Sequence, residues 1–344
     1  MVDVTVYGAG IFGLSVAWAC VNQGASVQVI DPNGPGAGSS GGLVGALAPH
    51  VPENWNEKKQ FQFESLMMAE TFWADVTKAG GKTSGYARSG RLQPVADDRT
   101  LQLAQNRAET AAELWQGQAK WQLRRAEDCC DWAPQSPTGW LIHDTLSARM
   151  HPRLACAALV SALKAKGAQI LTDGQPLGKI LWATGVTDLD RITQTRPRIF
   201  GNGVKGQAAL LQLDRRSMPQ LYANAVHIVP HADGTVAIGS TSERDYDDPT
   251  STDDQLDDVI TRARAAIPAL GNAPVLERWA GVRPRSRSRA PVLGQHPLDT
   301  SQFIANGGFK IGFGMAPKVA QVMADLILHQ IDAIPTGFKP EASL

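Results

Sequence analysis

Short apolar runs and helix-period segments alternate along the 344-residue chain. The apolar run Val4–Tyr7 enters a turn with glycines at Gly8, Gly10 and Gly13. A segment with Leu14, Ala17, Trp18 and Val21 on one helical face follows, and a second apolar run, Val27–Ile30, ends in Asp31. This order predicts a strand, a helix and a parallel strand. Helical spacing recurs over 61–76 (Phe61, Ser65, Met68, Phe72, Val76), over 100–116 and over 154–166. The last of these reaches Gly167 with lysines in its final turn, which suits a helix C-terminus. Residues 179–185 read as a buried strand closing in a tight turn. Residues 208–213, 226–229 and 235–238 read as strands, with Asp233-Gly234 marking a hairpin turn. Residues 253–267 and 315–329 read as helices. Alternation of strand and helix at both ends, around a strand-rich block, predicts an α/β parallel-sheet domain built from separated segments. A second, α+β and mainly antiparallel domain is expected as an insertion.

The first turn carries chemistry. Glycines at positions 8, 10 and 13 give GxGxxG between a strand and a helix, a dinucleotide fingerprint. Gly8 allows the tight turn, Gly10 lets the backbone approach a pyrophosphate, and Gly13 lets the helix lie close to the strand. The helix N-terminus offers unpaired N–H groups and a positive dipole end to phosphate. Asp31 stands where an acid accepts hydrogen bonds from adenosine ribose hydroxyls. The fingerprint alone does not separate NAD from FAD. From Pro32 to Gly42 runs PNGPGAGSSGG, the densest Gly/Ser stretch. By composition it is a flexible loop; directly after Asp31 it suits a cover for the cofactor.

Composition narrows the function classes. Lys plus Arg equals Asp plus Glu, 33 each, so net charge is zero and a general nucleic-acid footprint is not expected. No apolar run reaches about 18 residues, and the first strand begins at residue 3 or 4, leaving no room for a signal peptide. A cytoplasmic protein without a membrane segment is expected. Cys20, Cys129, Cys130 and Cys156 form no CxxC and read as reduced thiols. No His/Cys cluster has metal-ligand spacing, so no metal is expected.

Taken in order, GAGIFG at 8–13, Asp31, GAGSSGGLVGALAPH at 36–50, HPRLACAALVSALKAKGAQI at 151–170 and WATG at 182–185 form a specific pattern. VHIVPHADGTVAIGST at 226–241, WAGVRPRSRSRAPVLG at 279–294 and ANGGFKIGFGMAP at 305–317 complete it. Over nearly its whole length the chain resembles the FAD-dependent amine and amino-acid oxidoreductases, the family of glycine oxidase, sarcosine oxidase and D-amino-acid oxidase. The resemblance implies a Rossmann-like FAD-binding domain from 1–80, 140–200 and 275–344, with a substrate domain from 81–139 and 201–274. It implies that Gly8, Gly10, Ile11, Phe12 and Gly13 wrap the pyrophosphate, and that Asp31 and Pro32 lie at the adenosine ribose. Ser39 and Ser40, with the Leu43, Val44, Gly45 and Ala46 backbone, would cover the diphosphate and reach the flavin. Leu177 would meet the adenine, and Gly185 belongs to the Ala-Thr-Gly turn. Gly307, Gly308, Phe309, Lys310, Ile311, Gly312 and Phe313 would form the loop at the isoalloxazine ring. No cysteine follows Cys156, so covalent attachment through a late cysteine is not expected and FAD would be bound non-covalently.

The implied activity is oxidation of the C–N bond of a small amino acid or N-methyl amino acid, by hydride transfer to flavin N5. Arg283 matches a carboxylate clamp, a task for which guanidinium is suited by bidentate pairing; alternatively it salt-bridges between domains. Lys310 either contacts the ligand or offers only its backbone to the flavin. His227 replaces a substrate-side tyrosine; it could donate a hydrogen bond, titrate near neutral pH, or face away. The segment between Gln175 and Ile180 lacks the usual hairpin, which would thin one side of the adenine pocket. Arg283, Arg285, Arg287 and Arg289 alternate, and in an extended chain all four would share one side. They form either a solvated basic edge or an anchor for an acidic or phosphate-bearing substrate. Two alternatives stay open: a flavoenzyme acting on a tRNA uridine side chain, and a non-catalytic flavoprotein subunit of an amine dehydrogenase. Oligomeric state and electron acceptor are not legible.

Overall fold

The computed structural model describes all 344 residues except the side chain of Cys130, so the expected reduced state of that cysteine lies outside the described residues. Cys20 and Cys156 are buried free thiols, and burial pushes each up to about 12.

The architecture is the expected α/β domain beside a mainly antiparallel one. Strand Val4–Tyr7 lies at the middle of a six-stranded sheet, paired in parallel with Val27–Ile30 on one side and Lys179–Trp182 on the other. Gln169–Leu171 flanks it at one edge, Asp299–Asn306 and Val292–His296 at the other, the last being antiparallel. The second sheet has eight strands in the order Val275–Ser286, Gly201–Gln212, Thr235–Gly239, Val226–Pro230, Gln220–Ala223, Arg91–Pro94, Trp140–Asp144, Trp121–Arg125. Only the pairing of Gln220–Ala223 with Arg91–Pro94 is parallel.

Two strands differ from the expected domain boundaries. Trp140–Asp144 and Val275–Ser286, both expected with the cofactor segments, belong to the antiparallel sheet. Val275–Ser286 is committed there by a ladder along Gly201–Gln212 that runs from Gly201 opposite Ser286 to Leu211 opposite Val275.

Helix Ile11–Asn22 is buried on nearly every side, because it lies between the parallel sheet and the helices Pro152–Ala165 and Gly312–His329. The helix expected over 61–76 runs from Glu57 to Gly80. Its true ends are set by caps: Asn56 accepts from the Lys59 N–H, and Gly81 closes the helix at φ +70°. The closing helix, Gly312–His329, starts three residues before the expected Met315. No helix among the described residues is long and apolar enough to cross a membrane.

The antiparallel sheet separates its two faces by the period-2 rule. Ala209, Leu211, Leu221, Val226, Ile228, Val236 and Ile238 join Leu256, Val259, Ile260 and Ala263 of helix Asp254–Ala266 in one core. The other face therefore presents Ala208, Tyr222, His227, Ala237 and Gly239, of which Ala208, Ala237 and Gly239 pack against the loop 42–46.

Candidate active site and cofactor cradle

The fingerprint turn is built by close approach. Gly8 sits at φ +99°, and a Cβ there would come within 2.4 Å of the Ala183 carbonyl oxygen. A Cβ on Gly13 would come within 1.9 Å of the Gly8 carbonyl oxygen, so helix and turn touch backbone to backbone. Asp31 is tied into the turn: one carboxylate oxygen accepts from the Ala9 N–H at 2.8 Å, the other from the Asn33 N–H at 3.0 Å. Pro32 is exposed just beyond it. The Gly/Ser loop does fold back, with the Gly36 N–H donating to Ala9 and the Ile11 N–H donating to Ser40 Oγ at 2.9 Å.

Helix Ile11–Asn22 has no side-chain cap at Gly10, and its first internal bond is from the Leu14 N–H. The Phe12 and Gly13 N–H groups are therefore left for a ligand. A second helix N-terminus meets the first: positions on Gly308 and Gly312 face Phe12 and Ile11. Helix Gly312–His329 also lacks a side-chain cap, at Ile311. Asn306 holds this region by donating to the Gly185 carbonyl at 2.8 Å and accepting from the Gly307 N–H at 2.7 Å. Two uncapped, converging helix N-termini and glycine-lined backbone fit a dinucleotide diphosphate.

Leu177 lies elsewhere. It precedes strand Lys179–Trp182, at the sheet end opposite Gly8 and Asp31, and its N–H and C=O are both taken by Thr5 Oγ1 at 2.8 and 2.7 Å. The backbone beside Asp31 is that of Leu171, which accepts from the Asp31 N–H. The missing hairpin makes the register of 171–179 unreadable from sequence.

Loop 42–46 joins cradle and antiparallel sheet. Val44 packs against Gly239, and Leu43 clusters with Ala208, Ala237, Leu210 and Trp279. Gly45 accepts from the Met150 N–H, and Ala46 pairs with Arg149.

Beyond this loop the sheet face carries cations. Arg283 lies under Gly206, where a Cβ would come within 1.7 Å of Nη2. Its Nη2 donates to the Thr241 and Lys205 carbonyls at 2.7 and 3.1 Å, and Nη1 donates to Ser240 Oγ at 2.9 Å. The Nε–H is buried without an acceptor. Burial holds the guanidinium down at about 10. The Phe309 ring gathers Arg283, Arg285 and Lys310 at 5.7, 5.5 and 5.6 Å. Lys310 stands at the rim; desolvation of its ammonium end and the charges of Arg283 and Arg285 bring it down to about 8. Among the described residues none of these three cations has a carboxylate within ion-pair distance.

His227 is on this face, with its ring 4.7 Å from that of Tyr222, a neighbour the sequence did not single out. Burial, then the charges of Arg91 and Lys310, push it down to about 3, so it is neutral at physiological pH. Its Nδ1 has no hydrogen-bond partner.

The expected single-sided row of four arginines does not form. Strand Val275–Ser286 ends before Arg287, which donates to the Leu344 carbonyl, while Arg289 adopts φ +59° in the following turn. Only Arg283 and Arg285 share the face with Phe309.

The model of the family described as FAD dependent oxidoreductase matches residues 3–326. Glycine oxidase of Bacillus licheniformis is 23% identical over 357 residues, covering 95% of this chain and 93% of its own length. The bifunctional protein ThiO/ThiG of Trichormus variabilis is 25% identical over 359 residues; the match takes in 95% of this chain but spans only 53% of that protein. Among solved structures, iminodiacetate oxidase from Chelativorans sp. BNC1 superposes with a TM-score of 0.85 at 22% identity, covering 98% of this chain and 99% of that one. Glycine oxidase from Geobacillus kaustophilus gives 0.84 at 18% identity, covering 98% and 97%.

Proposed function

The chain belongs to the family of FAD dependent oxidoreductases, and we propose that it oxidises the C–N bond of a small amino acid or N-substituted amino acid. FAD is its cofactor, and when bound it supplies the acceptor for the hydride leaving the carbon next to the amine. The substrate is thereby oxidised to an imine, which water converts to a carbonyl compound and an amine or ammonia.

The observation that carries this reading is the convergence of Arg283, Arg285 and Lys310 on Phe309 without carboxylate partners. Arg283 keeps its positive charge and one Nη1 hydrogen for a substrate carboxylate, while both Nη2 hydrogens and the other Nη1 hydrogen fix the guanidinium plane. The same cations lower the pKa of a nearby ammonium. A substrate amine held there loses its proton more readily, which leaves its lone pair able to assist hydride departure without a dedicated base. His227, neutral at physiological pH, and Tyr222 form a wall that can orient the amine substituent.

One substrate carboxylate compensates one of three cations. A substrate with a second carboxylate satisfies the cluster better, and the likeness to iminodiacetate oxidase supports that direction. The tRNA reading loses its motive, because Arg287 and Arg289 leave the strand.

An anaerobic spectrum tests the proposal. Flavin absorbance of the purified protein is followed during addition of glycine, sarcosine, D-alanine or iminodiacetate. Bleaching is expected, at the lowest concentration with iminodiacetate. A yellow protein that none of these amines bleaches refutes the assignment.

A further inference from the structure

Away from the proposed substrate site, three side chains distant in sequence meet beside the hairpin 230–235. The ligating atoms of His151, His231 and Asp233 lie within 4.8 Å of one another. His231 is 1% exposed, and its Nε2 has no hydrogen-bond partner; His151 Nδ1 is likewise buried and unpaired. The two rings are 4.5 Å apart. Leaving two imidazole nitrogens unsatisfied in the interior is costly unless something binds them.

The surrounding bonds prepare the free atoms as ligands. Thr235 Oγ1 donates to Asp233 Oδ1 at 2.7 Å, so its lone pairs face His231 Nδ1 at 3.3 Å. His231 then carries its proton on Nδ1, and the Nε2 lone pair is bare. This is the arrangement by which a hydrogen-bond acceptor behind an imidazole orients a metal ligand. The Asp233 carboxylate is further fixed by the Thr235 N–H at 3.0 Å and opens to solvent, which provides an entry path.

Nearby cations are largely compensated. Arg153 pairs with Glu277 at 2.6 Å and Arg216 with Asp214 at 2.8 Å. Arg149 carries an uncompensated charge but turns Nη1 to the Pro230 carbonyl. The Leu43 carbonyl lies near enough to the His231 ring to favour its protonated form, a weak contact that a metal would displace.

We propose that His151, His231 and Asp233 bind a divalent transition metal of the zinc type, with solvent as fourth ligand. Two imidazoles and one carboxylate with an open position is an established donor set for such ions. Ligand atoms of a tetrahedral zinc lie roughly 3.3 Å apart, so no pair in the cluster need close by more than about 1.5 Å on binding. The metal would link the hairpin of the antiparallel sheet to the start of helix Pro152–Ala165 in the FAD-binding part, a structural clamp rather than a catalytic one.

The test titrates zinc sulfate into the FAD-loaded, chelator-treated protein by calorimetry, with cobalt(II) absorption as a second readout. One equivalent of zinc and a tetrahedral cobalt spectrum are expected. Asp233→Asn, at an exposed position, should weaken binding at least 10-fold while flavin absorbance stays unchanged; His231→Ala should abolish it. Absence of zinc binding, or binding equal in wild type and Asp233→Asn, overturns the proposal.

Discussion

The Phe309 N–H donates to the Pro284 carbonyl at 3.0 Å. This single bond stitches the glycine loop of the FAD-binding sheet to the edge strand of the antiparallel sheet. It fixes the Phe309 ring between Arg283 and Arg285, which flank Pro284 on one strand face. The joint between cofactor loop and cation strand is backbone, so removing a cation's side chain leaves it in place and is expected to act on substrate more than on flavin retention.

Arg283→Ala should lower kcat/KM for carboxylate substrates by roughly 100-fold, the upper range expected for one charge-assisted hydrogen bond. Flavin content should stay stoichiometric. Arg283→Lys should not restore activity, because an ammonium cannot serve Thr241, Lys205, Ser240 and a substrate in one plane. Steady-state kinetics with the flavin spectrum as control measure both; wild-type kinetics in the alanine variant would remove the clamp role.

Arg285→Ala reads the substrate class. If the second carboxylate sits near Arg285, the variant should lose about 10-fold in kcat/KM for iminodiacetate and much less for sarcosine. Equal losses for both substrates would mean that Arg285 contributes a general field and no second carboxylate site.

Lys310 yields a pH prediction with a definite sign. Desolvation and two neighbouring arginines bring its pKa down to about 8. Below that value it is a cation that attracts the carboxylate, and above it the attraction is lost. KM for an anionic substrate should therefore rise as pH increases through about 8, and Lys310→Met should show the higher KM throughout with this step removed. A KM profile that keeps the step in the variant assigns it to another group.

Much of this was legible in the chain because it is local. The glycine positions 8, 10 and 13, Asp31, and the apolar periods around them determine turn and helix within about 30 residues. The helix over 61–76 was legible in its middle, while its ends depended on caps at Asn56 and Gly81 that carry no apolar signal. Strands Arg91–Pro94 and Trp121–Arg125 were missed because their short, polar sequences mask the alternation. Arg283 and Lys310 were readable from motif, but their meeting over Phe309 needs two sheets in contact. His151 and His231, 80 residues apart, approach only through the placement of the hairpin beside loop 42–46, so no spacing rule could join them.

The buried neutral histidines give the last prediction, on acid stability. His227 and His231 are ordinary imidazoles in the unfolded chain, near 6.5, but sit at about 3 and about 4 in the fold. Between these values the unfolded state binds protons that the native state refuses. Stability is therefore full above about 6.5 and falls as pH drops toward 4, by up to about 1.4 kcal/mol per pH unit for each such group. His227→Gln replaces a titrating ring with a non-titrating amide. Its stability should fall less steeply than that of wild type between pH 6 and pH 4, the difference approaching one proton per molecule. Urea denaturation at several pH values in chelator, which keeps any metal from His231, measures the slope for both proteins. Parallel slopes would show that His227 titrates normally in the fold.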